Sequence, residues 1–132
     1  VRAQLTNDGD PQSADRFFYF GAPIEEPMKK IECYVRESDV DMLVEALDKG
    51  GVGGLTVYAV EGFGRQRGKG GSLLLPKRKV EVIVLDIEVE KVLNTISQVT
   101  QKGGFGDGKI AILPVDDVIR IRTGEKGAKA LY

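Results

Sequence analysis

The sequence predicts a single α+β sandwich running from Met28 to Tyr132 behind an N-terminal extension, residues 1–27. Three observations predict it. Short segments at four places alternate apolar and polar side chains with the two-residue period of a half-buried strand. Two segments between them carry apolar residues at helical spacing. Glycine pairs, the punctuation of helix ends and turns, fall between these segments. With 42% hydrophobic and 30% charged residues, the chain suits one globular domain. A body of about 105 residues is long enough to bury roughly two-thirds of its unfolded surface.

Each element follows from its residues. Lys30 to Arg36 is the first strand, with Ile31, Cys33 and Val35 on one face and Glu32, Tyr34 and Arg36 on the other. Ser38 reads as the N-cap of a helix, with Asp41 in a capping-box position. Val40, Leu43, Val44 and Leu47 form the apolar stripe of that helix, and Gly50-Gly51 closes it. Leu55 to Glu61 is the second strand. Residues 62 to 71 are a glycine-rich basic loop, and Lys77 to Leu85 is the third strand. Asp86 reads as the cap of a second helix whose inner face is Val89, Val92, Leu93, Ile96 and Val99, ended by Gly103-Gly104. Lys109 to Val115 is the fourth strand, and Val118 to Arg122 a short fifth one. The order is βαββαβ with a small terminal hairpin, a ferredoxin-like sandwich. Both helices must cover one face of the sheet, and the apolar content of the other face predicts an oligomer.

The extension reads as a polar, turn-rich and partly disordered tail, with Pro23 and Pro27 breaking regular structure. Phe17-Phe18-Tyr19-Phe20 within it is expected to dock on the body or on a neighbouring subunit. Val1-Arg2-Ala3 reads as the junction left by removal of a plastid transit peptide, which places the protein in the plastid stroma; the bacterial cytoplasm is the alternative.

Composition excludes several chemistries. The formal net charge of −1 supplies no global field toward nucleic acid or an acidic membrane. The chain has no histidine, which removes Ser-His, Cys-His and most zinc chemistry. One cysteine, Cys33, excludes an intrachain disulfide and points to a reducing compartment. No apolar run reaches the length of a membrane span.

One cluster carries chemistry. Gly106 and Gly108 leave room for an anion to approach main-chain N–H groups, and Lys109 adds a charge. Arg120 and Arg122, alternating along the expected fifth strand, present two guanidinium groups on one side. A tight turn accounts for Gly106-Asp107-Gly108 alone, and a solvated strand face for the two arginines alone. Together with Lys109 they point to a polyphosphate.

From Met28 onward the chain resembles the PII signal-transduction proteins. The matching blocks are Met28-Lys29-Lys30-Ile31, Gly62-Phe63-Gly64-Arg65-Gln66, Gly106-Asp107-Gly108-Lys109-Ile110 and Arg120-Ile121-Arg122-Thr123-Gly124-Glu125. The resemblance implies a homotrimer of ferredoxin-like subunits with nucleotide sites in the clefts between them. It also implies a non-enzymatic regulator that senses ATP, ADP and 2-oxoglutarate and controls nitrogen and carbon metabolism through protein contacts. By that resemblance Lys109 and the backbone of Gly106, Asp107 and Gly108 hold phosphates, and Arg120 and Arg122 reach them from across the cleft. Gly62, Phe63, Gly64 and Arg65 line the nucleotide, with Thr56 and Ile83 near the adenine. Gln66 coordinates the Mg2+ shared by ATP and 2-oxoglutarate. Lys77 pairs with a carboxylate of the oxoacid, with Arg36 and Arg67 as second contacts. The target would be an enzyme or transporter; for a plastid protein the family points to N-acetylglutamate kinase or acetyl-CoA carboxylase.

The chain departs from the family pattern in three places. The loop between Gln66 and Lys77 is short and holds no tyrosine, so a uridylylated tyrosine has no counterpart. Glu37 stands where proline is usual, and the sequence stops at Tyr132 without the glutamine-sensing extension of many plant members. The short loop leaves a nucleotide-only sensor as an alternative. A small phosphoryl-transfer enzyme is another, with Asp107 the one carboxylate beside the basic cluster. A nucleic-acid module is disfavoured, because the strands lack aromatic pairs placed to stack bases.

Overall fold

The computed structural model describes residues 18–19, 22–23, 26–65, 70–71 and 73–132. Strands β1 (Phe18–Tyr19) and β2 (Ala22–Pro23) form a two-residue hairpin with Phe18 opposite Pro23. Pro23 therefore sits in a strand rather than breaking one, as a sheet edge permits. Residues 26–27 are also described; the rest of the extension, including the tail expected to be partly disordered and the Phe17-Phe18-Tyr19-Phe20 side chains expected to dock, lies outside what is described.

The body is β3 (Met28–Val35), α1 (Val40–Lys49), β4 (Thr56–Gly62), β5 (Leu75–Leu85), α2 (Val89–Thr100) and β6 (Lys109–Val115). The four long strands make one antiparallel sheet in the order β4-β5-β3-β6, the predicted ferredoxin-like arrangement. Ile31, Cys33 and Val35 from β3 and Val80, Val82 and Val84 from β5 share one face, where Leu43 and Leu47 of α1 and Val92 and Ile96 of α2 bury against them. Each such side chain contributes on the order of 1.5–3 kcal/mol by leaving water. Burial also pushes the Cys33 thiol up to about 11, so it is inert packing.

Both helices begin differently from the capping prediction. A 3-10 turn, Glu37–Asp39, leads into α1 and another, Asp86–Glu88, into α2; neither start has a side-chain cap. Ser38 falls inside the first 3-10 turn, so the cap position passes to Asp39, which pairs with Lys102 at 2.8 Å; Asp86 likewise pairs with Lys29 at 3.0 Å instead of capping. Gly50 and Gly51 close α1 as predicted, Gly51 at φ 89°. Helix α2 stops earlier than Gly103-Gly104, at Thr100.

The uncovered face differs more. Its centre is a charge lattice, not an apolar patch. Lys30 and Lys79 pair with Glu32 at 3.1 and 3.2 Å, and Lys79 pairs with Glu81 at 3.2 Å. The Tyr58 hydroxyl donates to Glu81 at 3.1 Å, and Lys79 lies 4.9 Å from the Tyr58 ring centre. The bond from Lys30 chiefly holds Glu32 below the usual carboxylate range, while the bonds to Glu81 and Glu32 raise Lys79. Tyr34, Tyr58 and Leu113 stay exposed around that charged centre, so the open face is mixed rather than purely apolar.

The expected fifth strand shrinks to one antiparallel bridge, Ile119 with Lys126. Residues 121–123 are a turn, so Arg120 and Arg122 do not alternate along a strand. A 3-10 segment, Gly127–Leu131, then returns to the body; a Cβ on Gly53 would stand 2.1 Å from the Leu131 carbonyl oxygen. The Tyr132 hydroxyl donates to Glu88, and burial with that bond pushes its pKa up to about 12.

Candidate nucleotide site

Antiparallel pairing brings the end of β4 beside the start of β5, and Tyr34 at the end of β3 opposite Lys109 at the start of β6. Two stretches far apart in sequence, residues 62–65 and 105–109, therefore meet at one end of the sheet. There they enclose a cavity of about 520 Å³, lined by Gly62, Phe63, Gly64, Arg65, Lys77, Gly108 and Lys109, together with Tyr34, Val60, Glu61 and Phe105. Three cations against one carboxylate give it a positive balance, and Phe63 and Phe105 are exposed at it. The combination suits a polyanion carrying a flat apolar group.

The loop that ends in Gly108 is held by one carboxylate. Asp107 Oδ2 accepts the backbone N–H groups of Lys102 and Gly103, both at 2.8 Å, and Oδ1 takes the Arg36 guanidinium at 3.0 Å. These bonds, the Lys102 N–H foremost, hold the Asp107 carboxyl at about 2. Asp107 is thus spent on shaping the turn, and what it offers a ligand is its backbone. Gly108 has a second constraint beyond ligand access: at φ 104° a Cβ there would stand 1.9 Å from the Tyr34 carbonyl oxygen. Lys77 reaches across to the Gly106 carbonyl at 3.4 Å. Its pKa is lowered, first by desolvation and then by the nearby Arg36 charge.

The remaining predicted positions are distributed as follows. Thr56 and Ile83 share the lattice face but lie toward the other end of the sheet, where Thr56 pairs with Glu81. Arg36 is engaged with Asp107 and stands 3.8 Å from Asp39, so its guanidinium is committed within the fold. Arg120 is likewise held, by Glu125 at 2.5 Å and the Lys129 carbonyl at 2.8 Å, while Arg122 is exposed. Neither arginine lines the cavity of its own chain. Gln66 and Arg67 lie outside the described residues. Sequence reasoning missed Tyr34, Phe105, Asp39 and Lys102. The signal for the first two was present: Phe105 directly precedes the Gly106-Asp107-Gly108 turn, and Tyr34 is the polar-face residue at the end of its strand.

A positive cavity built from two glycine-containing loops at one end of a ferredoxin-like sheet suits a small anionic ligand. The profile of the family described as nitrogen regulatory protein P-II matches residues 28–125. The nitrogen regulatory protein P-II of Azospirillum brasilense is 44% identical over 112 residues, covering 79% of this chain and 100% of that protein. The Arabidopsis thaliana homolog is 42% identical over an alignment of 139 residues, covering 98% of this chain and 64% of that protein. Among solved structures, the B. subtilis GlnK–ATP complex superposes with a TM-score of 0.71 at 37% identity, covering 80% of this chain and 96% of that one. Arabidopsis thaliana PII bound to citrate gives 0.69 at 41%, covering 81% and 92%. The chain belongs to the nitrogen regulatory protein P-II family, and it is a signal-transduction regulator rather than an enzyme. Among the described residues no helix is long and apolar enough to cross a membrane.

Proposed function

We propose that this regulator reads ATP against ADP, and with Mg-ATP binds 2-oxoglutarate, as a homotrimer controlling nitrogen and carbon metabolism. Residues 28–132 would be the sensing domain, carrying 1–27 as an extension in the plastid stroma. One observation carries the reading: Gly62 to Arg65, Gly108 and Lys109, expected from the sequence at the nucleotide, line one positive cavity. The solved B. subtilis relative in complex with ATP supports the ligand class. In this reading Lys109 and the Gly106–Gly108 backbone take phosphates, and Arg122 of a neighbouring copy completes the cleft. Release of Arg120 from Glu125 would be needed before it could join.

Glu61 is the one carboxylate among the described lining residues, so Mg2+ would arrive as the companion of ATP, and Gln66 is the residue that would hold it. Mg2+ would supply a charge between ATP and the oxoacid, and Lys77 would compensate a carboxylate. The target would be N-acetylglutamate kinase or acetyl-CoA carboxylase. A nucleotide-only sensor is the second reading, favoured by the engagement of Arg36 with Asp107. Calorimetry decides between them. ATP and ADP should each bind, and 2-oxoglutarate should bind with Mg-ATP but not with ADP. Lys77→Ala should abolish the oxoacid response and spare ATP. ATP binding with no oxoacid heat establishes the second reading; no nucleotide binding at all overturns both.

A further inference from the structure

Four charged residues from four places in the chain, linked by side chains and by one backbone N–H, close into a ring around the loop that precedes Gly108. Arg36 follows β3, Asp39 opens α1, Lys102 follows α2, and Asp107 lies in the loop before β6. Arg36 Nη2 meets Asp107 Oδ1 at 3.0 Å, the Lys102 backbone N–H donates to Asp107 Oδ2 at 2.8 Å, and Lys102 Nζ meets Asp39 Oδ1 at 2.8 Å. The last joint, Arg36 Nη1 to Asp39 Oδ2, is longer at 3.8 Å; both atoms are buried and neither has a hydrogen-bond partner among the described residues. The Asp39 side chain is 8% exposed, whereas that of Lys102 is 49% exposed. Two of the three grips on Asp107, from Arg36 and from residue 102, therefore lead back to Asp39; the third is the Gly103 N–H at 2.8 Å.

We propose that Asp39 is a positioning residue for the glycine loop at 103–108, acting through Lys102 and Arg36 to hold Gly106, Gly108 and Lys109 ready for a nucleotide's phosphates. The inference rests on the nucleotide-binding reading above. The physical argument is one of pre-organisation. A loop with three glycines among residues 103–106 has many conformations to lose when it closes on an anion. A ring that fixes Asp107 beforehand removes that loss from the binding step. It also neutralises Arg36 and Lys102 internally, so the cavity field comes from Arg65, Lys77 and Lys109. Replacing Asp39 by asparagine keeps its shape but removes the charge facing Lys102 Nζ and Arg36 Nη1, so Asp107 keeps its backbone N–H bonds while the lysine and arginine flanking it lose their shared counter-charge.

The test combines two readouts on the full chain, taken where circular dichroism shows each variant folded. One is Mg-ATP affinity by calorimetry; the other is amide hydrogen exchange across residues 101–109 without nucleotide. Asp39→Asn should raise Kd about tenfold and Lys102→Met about threefold, and the double variant should be no worse than Asp39→Asn, since both act through one ring. Exchange should quicken in the loop and not in β3 or β5. Lys49→Met, which breaks an exposed pair with Glu45 on α1, should change neither readout. A folded Asp39→Asn with Kd within about twofold of wild type overturns the proposal, as does unchanged loop exchange. If Asp39→Asn does not fold, Lys102→Met decides by the same two readouts. Wild type without ATP affinity would overturn the nucleotide reading itself, and the exchange arm would then judge the ring alone.

Discussion

Gly108→Ala separates a packing role from a ligand role at the centre of the site. The added Cβ would stand 1.9 Å from the Tyr34 carbonyl oxygen and 3.0 Å from its carbon, both strand backbone with no rotamer to yield. At φ 104° a side-chain-bearing residue also pays a conformational strain of about 1–3 kcal/mol. Moving the loop or the strand to relieve the clash adds about 1–3 kcal/mol. Together they reach on the order of 2–6 kcal/mol, a large part of a marginal stability of about 5–15 kcal/mol. For a domain of this size that corresponds to a melting temperature lower by roughly 6–30 °C. Melting should be followed by circular dichroism at fixed protomer concentration, because assembly would make the midpoint concentration-dependent. Gly54→Ala is the control: nothing lies within 4 Å of its added Cβ and its φ is not left-handed, so it should stay within about 1 kcal/mol of wild type. If Gly108→Ala melted within about 2 °C of wild type and lost only ATP affinity, the glycine would serve ligand approach and the packing argument would fail.

Two other perturbations test the framework around the site. Asp107, held at about 2 when folded, has an unfolded value near 3.9, so its contribution is full above about pH 4 and is lost as pH falls toward 2. Wild type should therefore lose melting temperature more steeply than Asp107→Asn between pH 4 and 2, and parallel curves would contradict the assignment. Arg120→Met removes the contacts to Glu125 and the Lys129 carbonyl, and should quicken hydrogen exchange across residues 118–131 while leaving β3 and β5 protected. Unchanged exchange there would mean that the bridge at Ile119 and the 3-10 turn hold the C-terminal segment without the arginine.

The sheet and helices were legible because burial leaves a period. Ile31, Cys33 and Val35 alternate with Glu32 and Tyr34, and Leu43 and Leu47 are spaced one helical turn apart, so their partners across the core need not be known. The cavity was legible in part, since glycines and cations cluster in sequence on its two walls. Other features had no local sign. Ser38 and Asp86 look like caps, but Ser38 falls inside a 3-10 turn that moves the cap position to Asp39, and whether Asp86 caps a helix or pairs with a distant lysine depends on where Lys29 ends up. Likewise Arg120 and Arg122 have the spacing of a strand face, yet a five-residue step from Arg120 to Glu125 closes a turn there instead. The charge on the open sheet face was visible residue by residue as Lys30, Glu32, Lys79 and Glu81. Its cancellation was not, because that needs the register that sets Glu32 opposite Glu81 and Tyr58 opposite Lys79.

That register also divides the basic residues of the chain into two groups with different duties. Arg36, Lys102 and Arg120 each have a carboxylate partner within 3.0 Å, and each ties a loop or a tail to the body. Arg65, Lys77 and Lys109 instead line the cavity, with Glu61 as the one acid among its lining residues. A site in which every cation was free would repel itself and hold its loops apart until a ligand arrived; one in which every cation was paired would offer an anion nothing. Here the paired set shapes the wall and the lining set supplies the field. An effector that competes for a paired cation must first break a loop contact, so its binding reports on loop position as well as on its own concentration. Arg36 is where the two duties meet: it lies close enough to Lys77 to lower that lysine's pKa, yet its hydrogen bond goes to Asp107. An oxoacid that drew Arg36 toward Lys77 would loosen Asp107, and an oxoacid held by Lys77 alone would leave the loop as it stands.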